Sequence, residues 1–189
     1  MARYSGDADF DHGKPQAIGL LVVNLGTPDD PSTGAVRRYL KQFLWDPRVV
    51  EQPRWLWWLI LSLIILVLVR IRPSRSAAAY QKIWTDEGSP LLLYSQSIAD
   101  KVGAALAEAT GSPVVTELGR SNGSPSIPVA IEKLRAKNAR RLVVLPLYPQ
   151  YSATTTATVF DQVTETLRRQ RWVPELRIIT QYHDRPRVI

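Results

Sequence analysis

Residues 17–26 read AIGLLVVNLG. The run is continuously apolar up to Asn24 and closes on a glycine. Its length and its β-branched residues mark a strand buried on both faces, as strands of parallel sheets are. Three further stretches read as strands: PVVTELGR (113–120), RRLVVLPLYP (140–149) and ELRIITQY (175–182). Helical segments separate them. Ser32 or Thr33 caps a helix with Val36, Leu40 and Phe43 on one face. SAAAYQKIW (76–84) is helical, and Ser89-Pro90 opens a helix whose stripe is Ile98, Val102, Ala105 and Leu106. Ser124-Pro125 opens another, with Ile127, Ile131 and Leu134, and a last one carries Val159, Val163 and Leu167. Strands joined by helical crossovers predict an α/β fold: a doubly wound, mostly parallel four-stranded sheet. Residues 1–15 are polar and read as a mobile tail, and 16–189 as one domain. An open edge after the fourth strand gives the domain an unfinished look.

Residues 44–75 break the pattern. WLWWLILSLIILVLV (55–69) is interrupted only by Ser62. As a helix it would reach about 22 Å, short of the roughly 20 residues a membrane span needs. A buried core helix and a true span are both alternatives. Trp and Arg at its ends favour an interfacial or lid segment. The net charge of +7 is uneven, and Arg48, Arg54, Arg70, Arg72 and Arg75 flank this run. Arginines around tryptophans and leucines suit an anionic membrane surface or an acidic amphiphile better than nucleic acid. The chain has no cysteine and two histidines, His12 and His183, which is poor material for a metal site.

Ligands of open parallel sheets bind beyond the carboxyl ends of the strands. That rule selects NLGTP (24–28), GRSNGSP (119–125), LYPQYSATTT (147–156) and QYHDRP (181–186). NLGTP lacks a phosphate-binding fingerprint. Gly26 and Gly119 fit tight turns. Arg120 is either a surface arginine or an anion binder. Tyr148 and Tyr151 are either packed or turned to a ligand, and Thr154, Thr155 and Thr156 can simply cap a helix. His183 reads as structural. Asp29, Asp30 and Asp184 fit turns and caps, and tyrosine, with its pKa near 10, is a poor base at neutral pH. The rim is aromatic and hydroxyl-rich with one arginine. It suits a flat, apolar ligand with an acidic edge.

GLLVVNLGTPDDPSTGAVRRYLKQFLWDPRVV (19–50), AYQKIWTDEGSPLL (79–92) and VVLPLYPQYSATTT (143–156) resemble the ferrochelatases, the haem-synthesis enzymes that insert Fe²⁺ into protoporphyrin IX. The resemblance runs from about residue 17 to 189 and covers the amino-terminal half of the family's length. It implies two Rossmann-like halves around a porphyrin cleft, with 44–75 as an apolar helical lip that also touches the membrane. It further implies a cytoplasmic protein held peripherally at the inner membrane, partnered by a second half-domain and not by nucleic acid. Residue by residue it assigns porphyrin contacts to Leu25, Arg72, Tyr80, Ser89, Arg120 and Tyr148. Ser121 stands where many members have Tyr. Ala153 stands where some have a cluster-binding Cys, so no iron–sulfur cluster is expected. The family's metal-binding histidine belongs to its second half, and His183 does not fill that role, so no catalytic or metal residue is assigned. A non-catalytic porphyrin-binding half-chelatase and a membrane-surface binding module remain the alternatives.

Overall fold

The computed structural model describes residues 4–6, 13–71 and 73–185, with the side chains of these outside 64–75. The elements follow in the order β1 (Ala17–Asn24), α1 (Thr33–Leu44), α2 (Arg54–Ile71), α3 (Pro73–Ile83), α4 (Pro90–Thr110), β2 (Val114–Arg120), α5 (Ile127–Ala136), β3 (Ala139–Pro146), a π-helical turn (Ala153–Ala157), α6 (Thr158–Leu167) and β4 (Glu175–Ile178). The four strands form one sheet in the order β2-β1-β3-β4, parallel throughout. This is the doubly wound α/β architecture expected from the run at 17–26.

The chain divides into two compact units. The first draws on residues 4–6, 13–25, 95–121 and 125–185 and contains the whole sheet. β1 is an inner strand, and Leu20, Leu21, Val22 and Val23 are all but fully buried. Side chains alternate between faces along a strand. Leu21, Val23, Leu142 and Val144 pack with Ile127, Ile131 and Leu134 of α5 and with Val159, Val163 and Leu167 of α6. Each such side chain contributes about 1.5–3 kcal/mol on leaving water. Thr116, in register with Leu20, belongs to the opposite face and meets α4 at Gly103.

Helix α4 corrects the expected stripe. Its buried residues are Ser95, Ala99 and Gly103, whereas Ile98 is 41% exposed. Small side chains at i, i+4 and i+8 let the helix approach the sheet closely, and a Cβ on Gly103 would overlap the Thr116 hydroxyl. The start of α5 also moves. Ser126, not Ser124, is its N-cap: Ser126 is extended, at φ −77° and ψ 159°, and the Pro125 carbonyl before it accepts the Arg120 N–H at 2.8 Å. β3 stops at Pro146 and β4 at Ile178, both short of the apolar runs that announced them. The Ile179 N–H still donates to the Val144 carbonyl at 3.0 Å, and beyond it the Tyr182 and His183 N–H groups both donate to the Pro149 carbonyl. Most of the expected tail at 1–15 lies outside the described residues. Ser5, within it, bridges Gln170. Asn138 takes φ = 59° after α5, and its amide holds the entry to β1 through the Lys14 and Pro15 carbonyls.

The second unit draws on residues 26–71, 73–94 and 122–124. Ser32 caps α1, its hydroxyl accepting the Ala35 N–H at 3.2 Å. The far end of α1 is tied to the start of α2. Trp57 Nε1 donates to the Leu44 carbonyl at 2.9 Å, and Arg54 Nη2 to the Trp45 carbonyl at 2.6 Å. The Arg54 guanidinium also sits 4.5 Å from the centroid of the Trp45 ring. Carbonyls that a helix end leaves unpaired are thus satisfied by the next element. Trp55, Trp58, Leu59 and Leu63 of α2 are exposed, while Leu61 is buried. Among the described residues no helix is long and apolar enough to cross a membrane.

Candidate functional site at the strand ends

The connection leaving β1 runs to β2 on one side, and that leaving β3 runs to β4 on the other. The strand order therefore reverses between β1 and β3, and a doubly wound sheet opens its binding crevice at such a point. Leu25 and Tyr148 flank it. The Leu147 N–H still reaches the Val23 carbonyl at 2.7 Å, so the two strands stay coupled up to their last residues.

Asn24 organises the β1 end. Its Oδ1 accepts the Leu25 N–H at 2.8 Å, its Nδ2 donates to Ser95 Oγ at 2.9 Å, and its carbonyl accepts the Ser121 N–H at 3.0 Å. Leu25 itself is half-buried. Arg120 closes β2 and is only 4% exposed, so it is not a surface arginine. The Ser121 hydroxyl beside it is buried without a hydrogen-bond partner among the described residues. On the Ser121 carbonyl, Gln162 Nε2 donates from α6 at 3.1 Å. A buried guanidinium next to an uncommitted hydroxyl makes this strand end polar and water-poor.

Tyr148 is half-buried and packs against the core cluster, while Tyr151 is 55% exposed. The π-helical turn follows. The Ser152 carbonyl accepts the N–H groups of Thr155, Thr156 and Ala157, and the Ser152 and Thr154 hydroxyls lie 3.1 Å apart. Single π turns of this kind recur at functional sites. Tyr182 braces the same loop through its hydroxyl, which donates to the Pro146 carbonyl at 3.0 Å. Burial raises its pKa above the ordinary 10.0. His183 is exposed.

In the second unit, Tyr80 and Ser89 are placed separately. Tyr80 lies half-buried on α3, edge-on to Trp84 with ring centroids 6.5 Å apart. Burial also raises its pKa, which keeps the phenol neutral at physiological pH. Ser89 is 5% exposed and precedes α4, where its hydroxyl donates to Thr27 Oγ1 at 3.1 Å. Tyr39 donates to the Gly26 carbonyl at 3.2 Å, and Gln42 Oε1 accepts the Gly123 N–H at 2.9 Å. Beside these lies a cavity of about 220 Å³ bordered by Thr27, Arg38, Gln42 and Ser124. Arg72 lies outside the described residues.

Sequence reasoning missed the residues that hold the rim in place. Asn24 was legible as the first polar residue after an apolar strand. Gln162 sits among helix-surface residues and gave no signal. Among the described residues no group of three or more His, Asp or Glu could hold a metal ion.

The ferrochelatase family profile matches residues 17–189. The chain is 54% identical over 181 residues to a ferrochelatase of Thioalkalivibrio sulfidiphilus, covering 96% of this chain and 48% of that protein. It is 48% identical over 183 residues to one of Marinobacter nauticus, covering 97% and 49%. A ferrochelatase of Methylobacillus flagellatus is 48% identical over 189 residues, covering 100% and 54%. The chain thus spans about half the length of the curated relatives it matches. By profile and by identity it belongs to the ferrochelatase family.

Proposed function

We propose that this chain supplies the porphyrin-binding half of a ferrochelatase, which inserts Fe²⁺ into protoporphyrin IX. The observation that carries the reading is the rim itself: apolar Leu25, buried Arg120 and half-buried Tyr148 end three neighbouring strands of a sheet whose order reverses there. Leu25 and the Tyr148 ring would lie against the macrocycle, and Arg120 would meet a propionate or another polar edge. Tyr80 and Ser89 are proposed as further contacts. The Ser89 hydroxyl would then serve both Thr27 and the ligand.

Insertion replaces two pyrrole N–H bonds with bonds to Fe²⁺ and releases two protons. A base must take them, and the half-buried phenols of Tyr80 and Tyr182 are held too weakly acidic to act as phenolates at neutral pH. The base and the groups that deliver Fe²⁺ are assigned to polypeptide matching the remaining length of the relatives. No iron–sulfur cluster is assigned, and no nucleic-acid partner.

The exposed row Trp55, Trp58, Leu59 and Leu63 supports the finer proposal that α2 rests on the cytoplasmic face of the inner membrane. Titrating protoporphyrin IX fluorescence with the chain tests the central reading. Saturable one-to-one binding is expected, and an emission spectrum unchanged by excess chain would contradict it.

A further inference from the structure

Ser121 follows the last residue of β2, and both of its backbone polar groups are engaged. Its N–H donates to the Asn24 carbonyl at 3.0 Å, and its carbonyl accepts from Gln162 Nε2 at 3.1 Å. The side chain is different. Ser121 is 4% exposed, and its Oγ is covered without a hydrogen-bond partner among the described residues. Other hydroxyls around the strand ends are committed. Ser95 Oγ accepts from Asn24 Nδ2, Ser152 Oγ lies 3.1 Å from Thr154 Oγ1, and the Tyr182 hydroxyl donates to the Pro146 carbonyl. The Asn24 amide, at the end of the adjoining strand, is already spent on Leu25 and Ser95. Buried polar groups are nearly always hydrogen-bonded, because a lone one has given up water and gained nothing in return. This exception is fixed at a strand end of a doubly wound sheet, where such sheets bind ligands.

We infer that the Ser121 hydroxyl is a ligand-binding group that donates to a propionate carboxylate of the porphyrin. The inference deepens the porphyrin reading above and rests on it. The polar atoms of protoporphyrin IX are nitrogens at the centre of a rigid disc and carboxylates on flexible arms at its edge. A short, covered hydroxyl is out of reach of the disc's centre, whereas a flexible arm can enter between side chains. A carboxylate only accepts, and a serine hydroxyl has the donor to meet it. The ionised acceptor makes such a bond stronger than one between neutral groups. The chain without ligand bears the cost of the lone hydroxyl and the ligand relieves it, a trade of stability for function common at binding sites.

The test compares the whole chain with its Ser121→Ala variant. Each is titrated with protoporphyrin IX and with etioporphyrin, which has no carboxylate, beside thermal unfolding. Ser121→Ala should weaken protoporphyrin binding about tenfold, the lower end for a hydrogen bond to a charged group. Etioporphyrin affinity should not change. The unfolding midpoint should stay or rise, because the substitution removes a lone buried polar group and little volume. Weaker binding by a chain at least as stable is a pairing that a purely structural hydroxyl does not produce. If etioporphyrin binds neither protein, carboxylates dominate binding, and this pairing decides alone. Unchanged protoporphyrin affinity, an equal loss for both porphyrins, or a lowered midpoint would each overturn the inference and leave the porphyrin reading standing. An unaltered chain that binds no protoporphyrin IX would overturn that reading and the inference with it.

Discussion

Gly103 leaves no room for a methyl group, because the added carbon would fall on the Thr116 hydroxyl. Gly103→Ala should therefore destabilise the chain by about 1–3 kcal/mol, the usual range for overpacking. Denaturant unfolding checks this, and Thr116→Ala in the same chain should recover most of the loss. The half-buried phenols make a second residue-scale prediction. Burial holds Tyr80 and Tyr182 above 10.0, so the folded chain resists their ionisation. The sign follows from linkage: their contribution is intact below pH 10 and is lost as pH rises through the elevated folded values. An ultraviolet phenolate titration should show a late phase that Tyr80→Phe and Tyr182→Phe each diminish. One uniform phase near pH 10 would contradict the burial. Arg120 carries a subtler consequence. At 4% exposure it is poorly screened by salt, so its contribution to anion binding should persist at ionic strengths that erase surface pairs.

Helix α2 has its outward row at positions 55, 58, 59 and 63, the spacing of one helical face. Replacing Trp58, Leu59 and Leu63 with Ser should release the chain from anionic liposomes in a flotation assay. The melting temperature should move little, because about half or more of each of these side chains is exposed in the folded chain. Undiminished flotation would mean that another element holds the surface. The same helix shows what the sequence could convey. Its position and helical character were legible from composition, as was the parallel sheet from the run at 17–26, because long apolar runs mark regular elements, buried in β1 and partly exposed in α2. The stripe of α4 was not legible. Pattern reading favoured the large residues from Ile98 onward, but close approach to the sheet selected Ser95, Ala99 and Gly103 instead. The limits of β3 and β4 escaped for a related reason. Where a strand leaves its ladder depends on distant partners, here the Pro149 carbonyl facing Tyr182 and His183. At the rim, the strand-end rule found Leu25, Arg120 and Tyr148, whereas the Gln162 tie is a tertiary contact without local signature.

At the scale of the molecule, the chain aligns with about half of each ferrochelatase relative. The resemblance gives the family's metal-binding histidine to the second half, and neither His12 nor His183 is assigned that role. The isolated chain should therefore insert no zinc into a soluble porphyrin above the uncatalysed rate, as followed by fluorescence. Turnover would show that the present residues suffice. Binding should be separable from that chemistry, because the sheet that carries the rim has its own packed core. The most direct measurement is a protoporphyrin IX titration of the unaltered chain, Tyr148→Leu and Arg120→Ala, each at low and high salt. Tyr148→Leu keeps apolar bulk at the core and removes ring contact worth about 0.5–1.5 kcal/mol, so affinity should fall by up to about tenfold at either salt concentration. Arg120→Ala should also lose affinity, with only a small salt dependence. Equal affinity in all three proteins, or no binding by the unaltered chain, would contradict the claim that these strand ends form a porphyrin wall.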